Sequence, residues 1–288
     1  MLKTVWLTEK QDLSNGCAML LGGFDGLHVG HRQLLSCAKE SGLPVGIMTI
    51  VGGKDEKGIF TFQEREDIFK NAGVDFVFEL PFSEIKELPP LDFLKLLQRS
   101  FSPQLFVCGE DFRFGFHAQG TPALIKEWGQ VRVETLPLME ILGKKISSRS
   151  LKALLEQGEI EKANALLGEP FFLTGKVIKD RGVGRSLGFP TANILYPADK
   201  LSIRKGVYET RIALEGRTYK GITNYGARPT FENEEVRIET YLDGFDGDLY
   251  ERELKVEFIR YMRDVKRFDS VEDLRLQLMK DIRQVRDQ

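Results

Sequence analysis

The chain has 288 residues, about twice the ~150 residues of a typical domain, and this length favours two modules. Hydrophobic residues make up 42% and charged residues 29%, a balance that is typical of a folded protein and excludes a disordered, collagenous or coiled-coil chain. The 41 basic residues nearly cancel the 43 acidic ones, so we expect no overall field that would attract nucleic acid or an anionic membrane surface.

The three cysteines, Cys17, Cys37 and Cys108, lie far apart and lack a CxxC spacing. They are typical of free thiols in a reducing compartment, so we expect a cytoplasmic protein. Nowhere do about 18 uncharged apolar residues follow one another, and the sequence therefore predicts no membrane-spanning segment.

The first half of the chain alternates short apolar runs with helix-like segments. The runs between Cys17 and Leu136 are AMLLGG, PVGIMTI, VDFVFEL, QLFVCG and VRVETL. This rhythm predicts an α/β, Rossmann-like domain with a parallel sheet over residues 1–150. Thr61 and Glu64 in TFQERE form a predicted capping box for one of its helices. Two short helices, Ser148–Glu156 and Glu159–Leu167, are predicted to form a connector over residues 151–169.

The second half, residues 170–288, changes to strands separated by turns. The predicted strands are FFLTGKVI, VYETRIAL, RTYKGITNY, VRIETYL and ELKVEFIRYM, which indicates an antiparallel β-barrel or a sandwich. A terminal helix is predicted to start at Ser270, where S-V-E-D is another capping box. It should pack on the barrel through one apolar face, formed by Val271, Leu274, Leu278, Ile282 and Val285.

The segment GGFDGLHVGH, Gly22 to His31, follows the first of these apolar runs and precedes an amphipathic helix. It is therefore placed at the carboxyl end of a strand, where open α/β sheets bind ligands. Histidines 28 and 31 would share one face of the first helical turn, where two imidazole donors and the positive helix end favour phosphate. A metal site with His117 and a pair of merely exposed histidines are the alternatives.

This segment resembles the nucleotidylyltransferase superfamily, and its FDG before HVGH resembles the N-terminal domain of bacterial FAD synthetases. The resemblance continues at VCGEDFRFGFHAQGT, Val107 to Thr121, and at KISSRSLK, Lys145 to Lys152. It implies nucleotide binding by residues of the first two motifs, namely Gly23, Phe24, Asp25, Gly30, Gly109 and Asp111. It also implies that Ser147, Ser148 and Lys152 contact the triphosphate. The alternatives are that Phe112 and Phe114 are core aromatics and that Ser147 caps a helix.

Two features depart from the pattern of that family. Arg149 stands where the family usually has Thr, and Lys152 stands where it usually has Arg, which could grip phosphate through two hydrogen bonds. The segment IVGGKDEKGIF, Ile50 to Phe60, replaces a polar, Pro-rich stretch. These departures keep open a degenerate N-terminal domain that has lost adenylyl transfer.

The second half contains DRGVGRSLGFPTANI, which resembles the riboflavin kinase loop with its Pro-Thr-Ala-Asn core. Glycines at positions 182, 184 and 188 would permit tight turns around a nucleotide. The Thr191 hydroxyl and the Asn193 amide are suitable oxygen partners for Mg²⁺ and phosphate. Taken alone, this loop could also be an ordinary barrel turn.

Three further segments follow in the order of that family: GITNYGARPTF, RIETYLDGFDGDLY and YMRDVKRFDS. The resemblance assigns the general base to Glu239, a carboxylate expected at the barrel mouth, and it makes Arg263 and Asp264 flap residues near the nucleotide or flavin. Without the resemblance, Glu239 would be a solvated strand residue and the Arg263–Asp264 pair a surface ion pair.

Together the two resemblances imply a bifunctional riboflavin kinase and FAD synthetase. Its C-terminal barrel would phosphorylate riboflavin with MgATP, and its N-terminal domain would join FMN to the adenylyl group of ATP and release pyrophosphate. The expected partners are therefore small molecules: riboflavin, FMN and ATP. Two alternatives remain: a monofunctional flavokinase with a degenerate N-terminal domain, and a flavin-binding regulator without turnover.

Overall fold

A computed structural model describes residues 2–6, 16–53, 57–141, 144–179, 188–227 and 236–287 of the chain. The chain divides into two compact units, Met1–Ser148 and Arg149–Gln288. Among the described residues, no helix is both long enough and apolar enough to cross a membrane.

The first unit is built on a six-stranded parallel sheet in the order β1-β4-β3-β2-β5-β6. Its strands are β1 (Lys3–Trp6), β2 (Cys17–Leu20), β3 (Val45–Val51), β4 (Phe76–Pro81), β5 (Pro103–Gly109) and β6 (Arg132–Leu136). The five predicted strands are confirmed, whereas β1 was not predicted. Because the chain runs outward from β2 in one direction through β3 and β4 and in the other through β5 and β6, the strand order reverses beside β2. Such a reversal opens a crevice at the carboxyl ends of the strands.

Helices cover both faces of this sheet. They are α1 (Val29–Glu40), α2 (Phe62–Asn71), α3 (Phe82–Ile85), α4 (Pro90–Phe101), a 3₁₀ turn at Phe116–Ala118 and α5 (Pro122–Trp128). The capping box at α2 is confirmed, because Glu64 N–H donates to Thr61 Oγ1 (3.3 Å) and Thr61 N–H donates to Glu64 Oε2 (2.9 Å). A hairpin of β7 (Glu140–Ile141) and β8 (Lys144–Lys145) follows.

Two helices, α6 (Ser148–Gln157) and α7 (Ile160–Leu167), lie where the sequence predicts them. Helix α7 is tied to the barrel through one amide: Asn164 Nδ2 donates to Phe258 O and its Oδ1 accepts from Phe171 N–H, both at 2.8 Å. These contacts and the division of the chain place the predicted connector within the second unit.

The second unit contains a closed antiparallel barrel in the order β10-β13-β12-β11-β14-β9. Its strands are β9 (Phe171–Ile178), β10 (Thr191–Leu195), β11 (Gly206–Leu214), β12 (Arg217–Ala227), β13 (Val236–Leu242) and β14 (Glu253–Arg263). The choice between barrel and sandwich is settled, and the five predicted strands are confirmed. Strand β10 was not predicted, although it closes the barrel between β9 and β13.

Strict alternation of side chains separates the barrel interior from its outer wall. The interior is filled by fully buried residues, among them Phe171, Tyr208, Ile212, Ile238, Val256 and Phe258. Three buried threonines form a hydroxyl chain across it, from Thr210 through Thr223 to Thr240, with oxygens 2.8 and 2.9 Å apart. The residues between these inward-facing positions on each strand therefore face outward.

The terminal helix α8 (Val271–Arg286) starts at the predicted cap, where Asp273 N–H donates to Ser270 Oγ at 3.1 Å. Its C-terminal half packs as expected, with Ile282 and Val285 against Val207 and Ile222 of the outer wall. Leu274 and Leu278 are partly buried, whereas the prediction is wrong for Val271, which is 64% exposed. Periodicity identifies one apolar face of a helix but not how much of its length meets a partner.

Candidate active sites in the two units

The GGFDGLHVGH segment lies at the reversal point of the first sheet. It links β2, whose neighbours are β3 and β5, to helix α1. His28 is the N-cap of α1, and its Nδ1 accepts the backbone N–H of His31 at 3.1 Å. A side chain in this position satisfies one of the free donors of the first turn.

The rings of His28 and His31 are stacked, with centroids 3.4 Å apart and planes inclined by 18°. His31 Nδ1 lies 2.9 Å from the carbonyl oxygen of Gly26. A carbonyl can only accept, so Nδ1 of His31 carries a proton and its Nε2 holds a lone pair when the ring is neutral. Nδ1 of His28 is the acceptor, so the proton of neutral His28 is on Nε2. The two rings therefore offer one donor and one acceptor in their neutral forms, not the two donors that the sequence predicts.

Both imidazoles favour the neutral form. Burial lowers the pKa of His28 to about 4. Burial and the neighbouring His28 lower the pKa of His31 to about 3, against the hydrogen bond to Gly26. The two histidines are thus uncharged near neutral pH, and an anion bound next to them would favour protonation of His31.

A pocket of about 590 Å³ opens in front of the two histidines. It brings together most of the residues that the resemblance implies for this unit: Gly23, Phe24, His28, Gly30, His31, Gly109, Asp111, Ser147 and Ser148. Asp25 is not in the lining. Its Oδ2 instead accepts the backbone N–H of Ile59 at 2.9 Å and so joins the glycine loop to the segment before α2.

The far wall of the pocket is apolar, with Met48, Phe82, Ile85, Phe93 and Phe114 in its lining. Phe114 also belongs to the hydrophobic core of the first unit. It therefore packs in the core, as one alternative predicts, and lines the pocket as well.

Three basic side chains in the lining, Lys86, Arg113 and His117, were not assigned from the sequence. His117 belongs to the loop that the Phe114–Gly120 bridge closes, with a backbone hydrogen bond of 2.8 Å from Gly120 N–H to Phe114 O, and Arg113 directly precedes this loop. The sequence did offer a signal for Arg113, because it is the charged residue between the two aromatics of the FRFG motif.

In the second unit, the candidate residues lie on the outer wall of the barrel. Cross-strand register places Asn193 of β10 and Asn224 of β12 on either side of Glu239 in β13. The next row, also on the outer wall, is Thr191, Tyr241 and Ile222. Glu239 is thus in the middle of a strand and not at the barrel mouth, and it is partly buried.

Asn193 has the properties of a cation ligand. The residue is 6% exposed, and its Oδ1 is buried without a hydrogen-bond partner among the described residues. Its Nδ2 makes only a long bond to Thr191 O (3.4 Å). An amide oxygen of this kind suits Mg²⁺, which prefers oxygen ligands, so the residues present fit that ion.

The glycine loop before β10 is described only in part. Gly188 has φ +83°, a left-handed conformation that favours glycine, while Gly182 and Gly184 lie outside the described residues. Phe189 packs edge-on against Tyr241, with ring centroids 5.8 Å apart.

The two predicted flap residues are engaged in ion pairs. Arg263 binds Asp281 of α8 with two nitrogens, Nη2 to Oδ2 at 2.6 Å and Nε to Oδ1 at 3.1 Å, and both side chains are largely buried. Asp264 accepts from Tyr261 Oη at 2.5 Å and from Arg204 Nη2 at 3.1 Å. Arg263 therefore attaches the terminal helix to the end of β14.

Lys152 and Arg149 lie on α6 in the second unit.

Comparisons with known proteins agree with this division. A riboflavin kinase family model matches residues 167–288, and an FAD synthetase family model matches residues 10–150. The bifunctional riboflavin kinase/FMN adenylyltransferase of Bacillus subtilis is 31% identical over 306 residues, covering 97% of this chain and 96% of that protein. The Escherichia coli K12 protein of the same name is 31% identical over 285 residues, covering 92% and 90%.

Among solved structures, a Streptococcus pneumoniae protein described as a macrolide-efflux protein has a TM-score of 0.90 and 27% identity, and 99% of each chain is covered. That description concerns the Streptococcus protein, whereas both family models that match this chain describe flavin enzymes. With both halves matched and full-length relatives at 31% identity, the chain belongs to the bifunctional riboflavin kinase/FMN adenylyltransferase family.

Proposed function

We propose that this chain makes FMN from riboflavin in its second unit and FAD from FMN in its first unit, with ATP as the co-substrate of both steps. The observation that carries the proposal is that each unit contains its own site, formed by the residues that its own family motif supplies. The pocket supports adenylyl transfer, and the row on the barrel wall supports phosphoryl transfer.

In the kinase step, the 5′-hydroxyl oxygen of riboflavin attacks the γ-phosphorus of ATP. The bond from that phosphorus to the β–γ bridging oxygen breaks, and ADP leaves. Glu239 accepts the hydroxyl proton as the new P–O bond forms, which is the general-base role. Its position between Asn193 and Asn224 supports this role, because both flanking side chains can bind neutral or cationic groups next to the carboxylate.

Mg²⁺ would neutralise charge on the phosphates of ATP when it is bound. Thr191 and Asn193 would hold it, and the buried Oδ1 of Asn193, which has no hydrogen-bond partner within the described part of the chain, supports this assignment. Arg263 would act at a distance from the chemistry, since its guanidinium is engaged with Asp281 and keeps α8 on the barrel.

In the adenylylation step, a phosphate oxygen of FMN attacks the α-phosphorus of ATP. The bond to the α–β bridging oxygen breaks and pyrophosphate leaves, so no covalent enzyme intermediate is needed. His28 Nε2–H donates to the phosphoryl oxygens, and His31 takes up a proton when the anion binds and becomes a second donor. The N-terminus of α1 adds its positive end to the same site.

The remaining pocket residues position the nucleotide. Gly23, Gly30 and Gly109 allow its close approach, Ser147 and Ser148 offer hydroxyls to the phosphates, and Asp111 lines the same pocket. The apolar wall near Phe93 and Phe114 suits a flat aromatic ring.

We further propose that the chain acts in the cytoplasm, a location supported by its free cysteines.

One product analysis separates this function from its alternatives. The full chain is incubated with riboflavin and MgATP, and riboflavin, FMN and FAD are separated over time, with oxidised and with reduced flavin. We expect FMN to appear first and FAD to follow with pyrophosphate. FMN without FAD under both conditions would leave the monofunctional flavokinase, and flavin binding without ATP consumption would indicate a regulator.

A further inference from the structure

Asn224 of β12 is a polar residue on the outer wall to which the motifs assign no role. Register places it directly across from Glu239, on the side opposite to Asn193. Directly opposed residues on neighbouring antiparallel strands point to the same face with Cβ atoms about 4.5–5.5 Å apart. The three side chains therefore form one transverse row with the carboxylate in the middle.

The amide oxygen of Asn224 is buried and has no hydrogen-bond partner among the described residues. The same is true of Asn193 Oδ1 at the other end of the row. Buried acceptors without a donor are costly and rare in folded proteins, so a pair of them flanking one carboxylate calls for a functional explanation. A ligand that brings a hydrogen-bond donor or a cation to each amide would satisfy both.

The two ends of the row cannot serve the same reactant. In the proposed kinase step, the phosphate donor and its cation are assigned to Thr191 and Asn193, and the base must touch the hydroxyl that attacks. The alcohol substrate then approaches Glu239 from the β12 side, where Asn224 lies. Among the described residues the wall is open there, since a Cβ built on Gly226, two residues further along β12, meets none of their atoms within 4 Å.

We propose that Asn224 binds the polyol chain of the flavin substrate, with its Oδ1 accepting a hydrogen bond from a ribityl hydroxyl other than the one that reacts. This inference rests on the kinase function proposed above. A polyol is the part of riboflavin that offers several hydroxyl donors, whereas the flavin ring offers a flat aromatic surface. The contact would hold the reacting hydroxyl at Glu239 and select flavins that carry a hydroxylated chain.

The test compares two flavins at the kinase site. Riboflavin carries the ribityl chain, and lumiflavin carries a methyl group in its place. Because lumiflavin has no hydroxyl to phosphorylate, its inhibition constant against FMN formation reports binding at the kinase site alone. For Asn224→Ala, we expect the riboflavin KM to rise about 10- to 100-fold, the range for a lost hydrogen bond at a desolvated site, and the lumiflavin inhibition constant to stay unchanged.

Two further variants separate substrate contact from structure. Asn224→Thr keeps an oxygen acceptor at nearly the same volume and adds no charge opposite Glu239, so its riboflavin KM should stay closer to that of the unaltered chain than the KM of Asn224→Ala. This variant also provides the comparison if the alanine variant does not fold. Thr218→Ala, an exposed change on the same strand and the same face, should leave both constants unchanged.

An unchanged riboflavin KM in Asn224→Ala would overturn the inference, and so would equal losses for riboflavin and lumiflavin. A riboflavin KM in Asn224→Thr that rises as far as in Asn224→Ala would also contradict an acceptor role. Failure of the unaltered chain to make FMN is a separate result, which would remove the proposed function and this inference together.

Discussion

The two units form their sites in different ways. In the first, one contiguous segment from Gly22 to His31 supplies both histidines at the reversal point of a parallel sheet, and loops complete the pocket. In the second, Asn193, Asn224 and Glu239 come from three strands and meet only because the barrel register aligns them. A site at strand ends can thus be found from a local motif, while a site on a strand wall depends on pairing.

The chemistry of the two sites also differs. The first offers imidazoles and a helix N-terminus, which bind anionic oxygens directly. The second offers amide, hydroxyl and carboxylate oxygens, which bind cations and hydroxyl donors. Because the sites share no residue, a substitution in one unit should change one activity and spare the other.

The largest effect is expected for Glu239→Gln, which removes the base at nearly constant volume. FMN formation should fall about 10²- to 10⁴-fold, the usual contribution of a positioned general base. FAD formation from supplied FMN provides the control and should persist. A variant with the original kinase rate would assign Glu239 to structure alone.

A similar but smaller loss is expected for His28→Asn in the other unit. Asparagine is a good N-cap, so α1 should keep its start while the Nε2–H donor is lost. FAD formation from FMN should fall about 10²- to 10³-fold, as when one transition-state donor is removed. Riboflavin phosphorylation should be unchanged, and a parallel fall in both activities of the folded variant would contradict the separation of sites.

Removing the Arg263 side chain tests a stabilising contact of the second unit. Arg263→Met leaves Asp281 buried without its bidentate partner, which should destabilise the docking of α8 by about 2–3 kcal/mol. Hydrogen exchange of the α8 amides measures this loss. The double variant Arg263→Met, Asp281→Leu should exchange more slowly than the single one, because no buried charge remains unpaired. Equal exchange in the original chain and in Arg263→Met would show that the pair does not hold the helix.

The smallest expected effect per residue is a pH dependence of the first unit. Its histidines have folded pKa values of about 4 and about 3, below the ordinary 6.5, so the folded state prefers neutral rings. Above pH 6.5 the histidines are neutral in both states, so they do not lower the free energy of unfolding. As the pH falls toward the folded pKa values, the unfolded state binds protons that the folded state does not bind. The free energy of unfolding should therefore fall by about 1–2 kcal/mol per histidine between pH 6.5 and 5.

Urea unfolding followed by tryptophan fluorescence isolates this effect, because Trp6 and Trp128, the only tryptophans, both lie in the first unit. The double variant His28→Asn, His31→Gln should show a shallower loss of stability over the same pH range. Identical profiles for the variant and the original chain would place the pH dependence elsewhere.

Much of the fold follows from local patterns in the sequence. Period-two and apolar runs identified five strands of each unit, and Thr61 and Ser270 marked two helix starts through side chains only three residues from their partners. The motif at Gly22–His31 also indicated the place of a phosphate site, since a strand, a glycine turn and a helix follow one another directly. These features depend on neighbours along the chain, and such neighbours are visible in the sequence.

The remaining features depend on partners that are distant in sequence. Strand β1 has only four residues and exists through its pairing with β4, while β10 is completed by β9 and β13. Val271 belongs to the apolar face of α8 and is nevertheless exposed, because the helix meets the outer wall near Ile282 and Val285. The tautomers of the two histidines and the burial of the Asn224 oxygen likewise follow from contacts across loops and strands. The sequence by itself determined where most strands and helices form, whereas only the tertiary structure decided β1, β10, register, burial and proton positions, because these are properties of pairs that the chain brings together only when it folds.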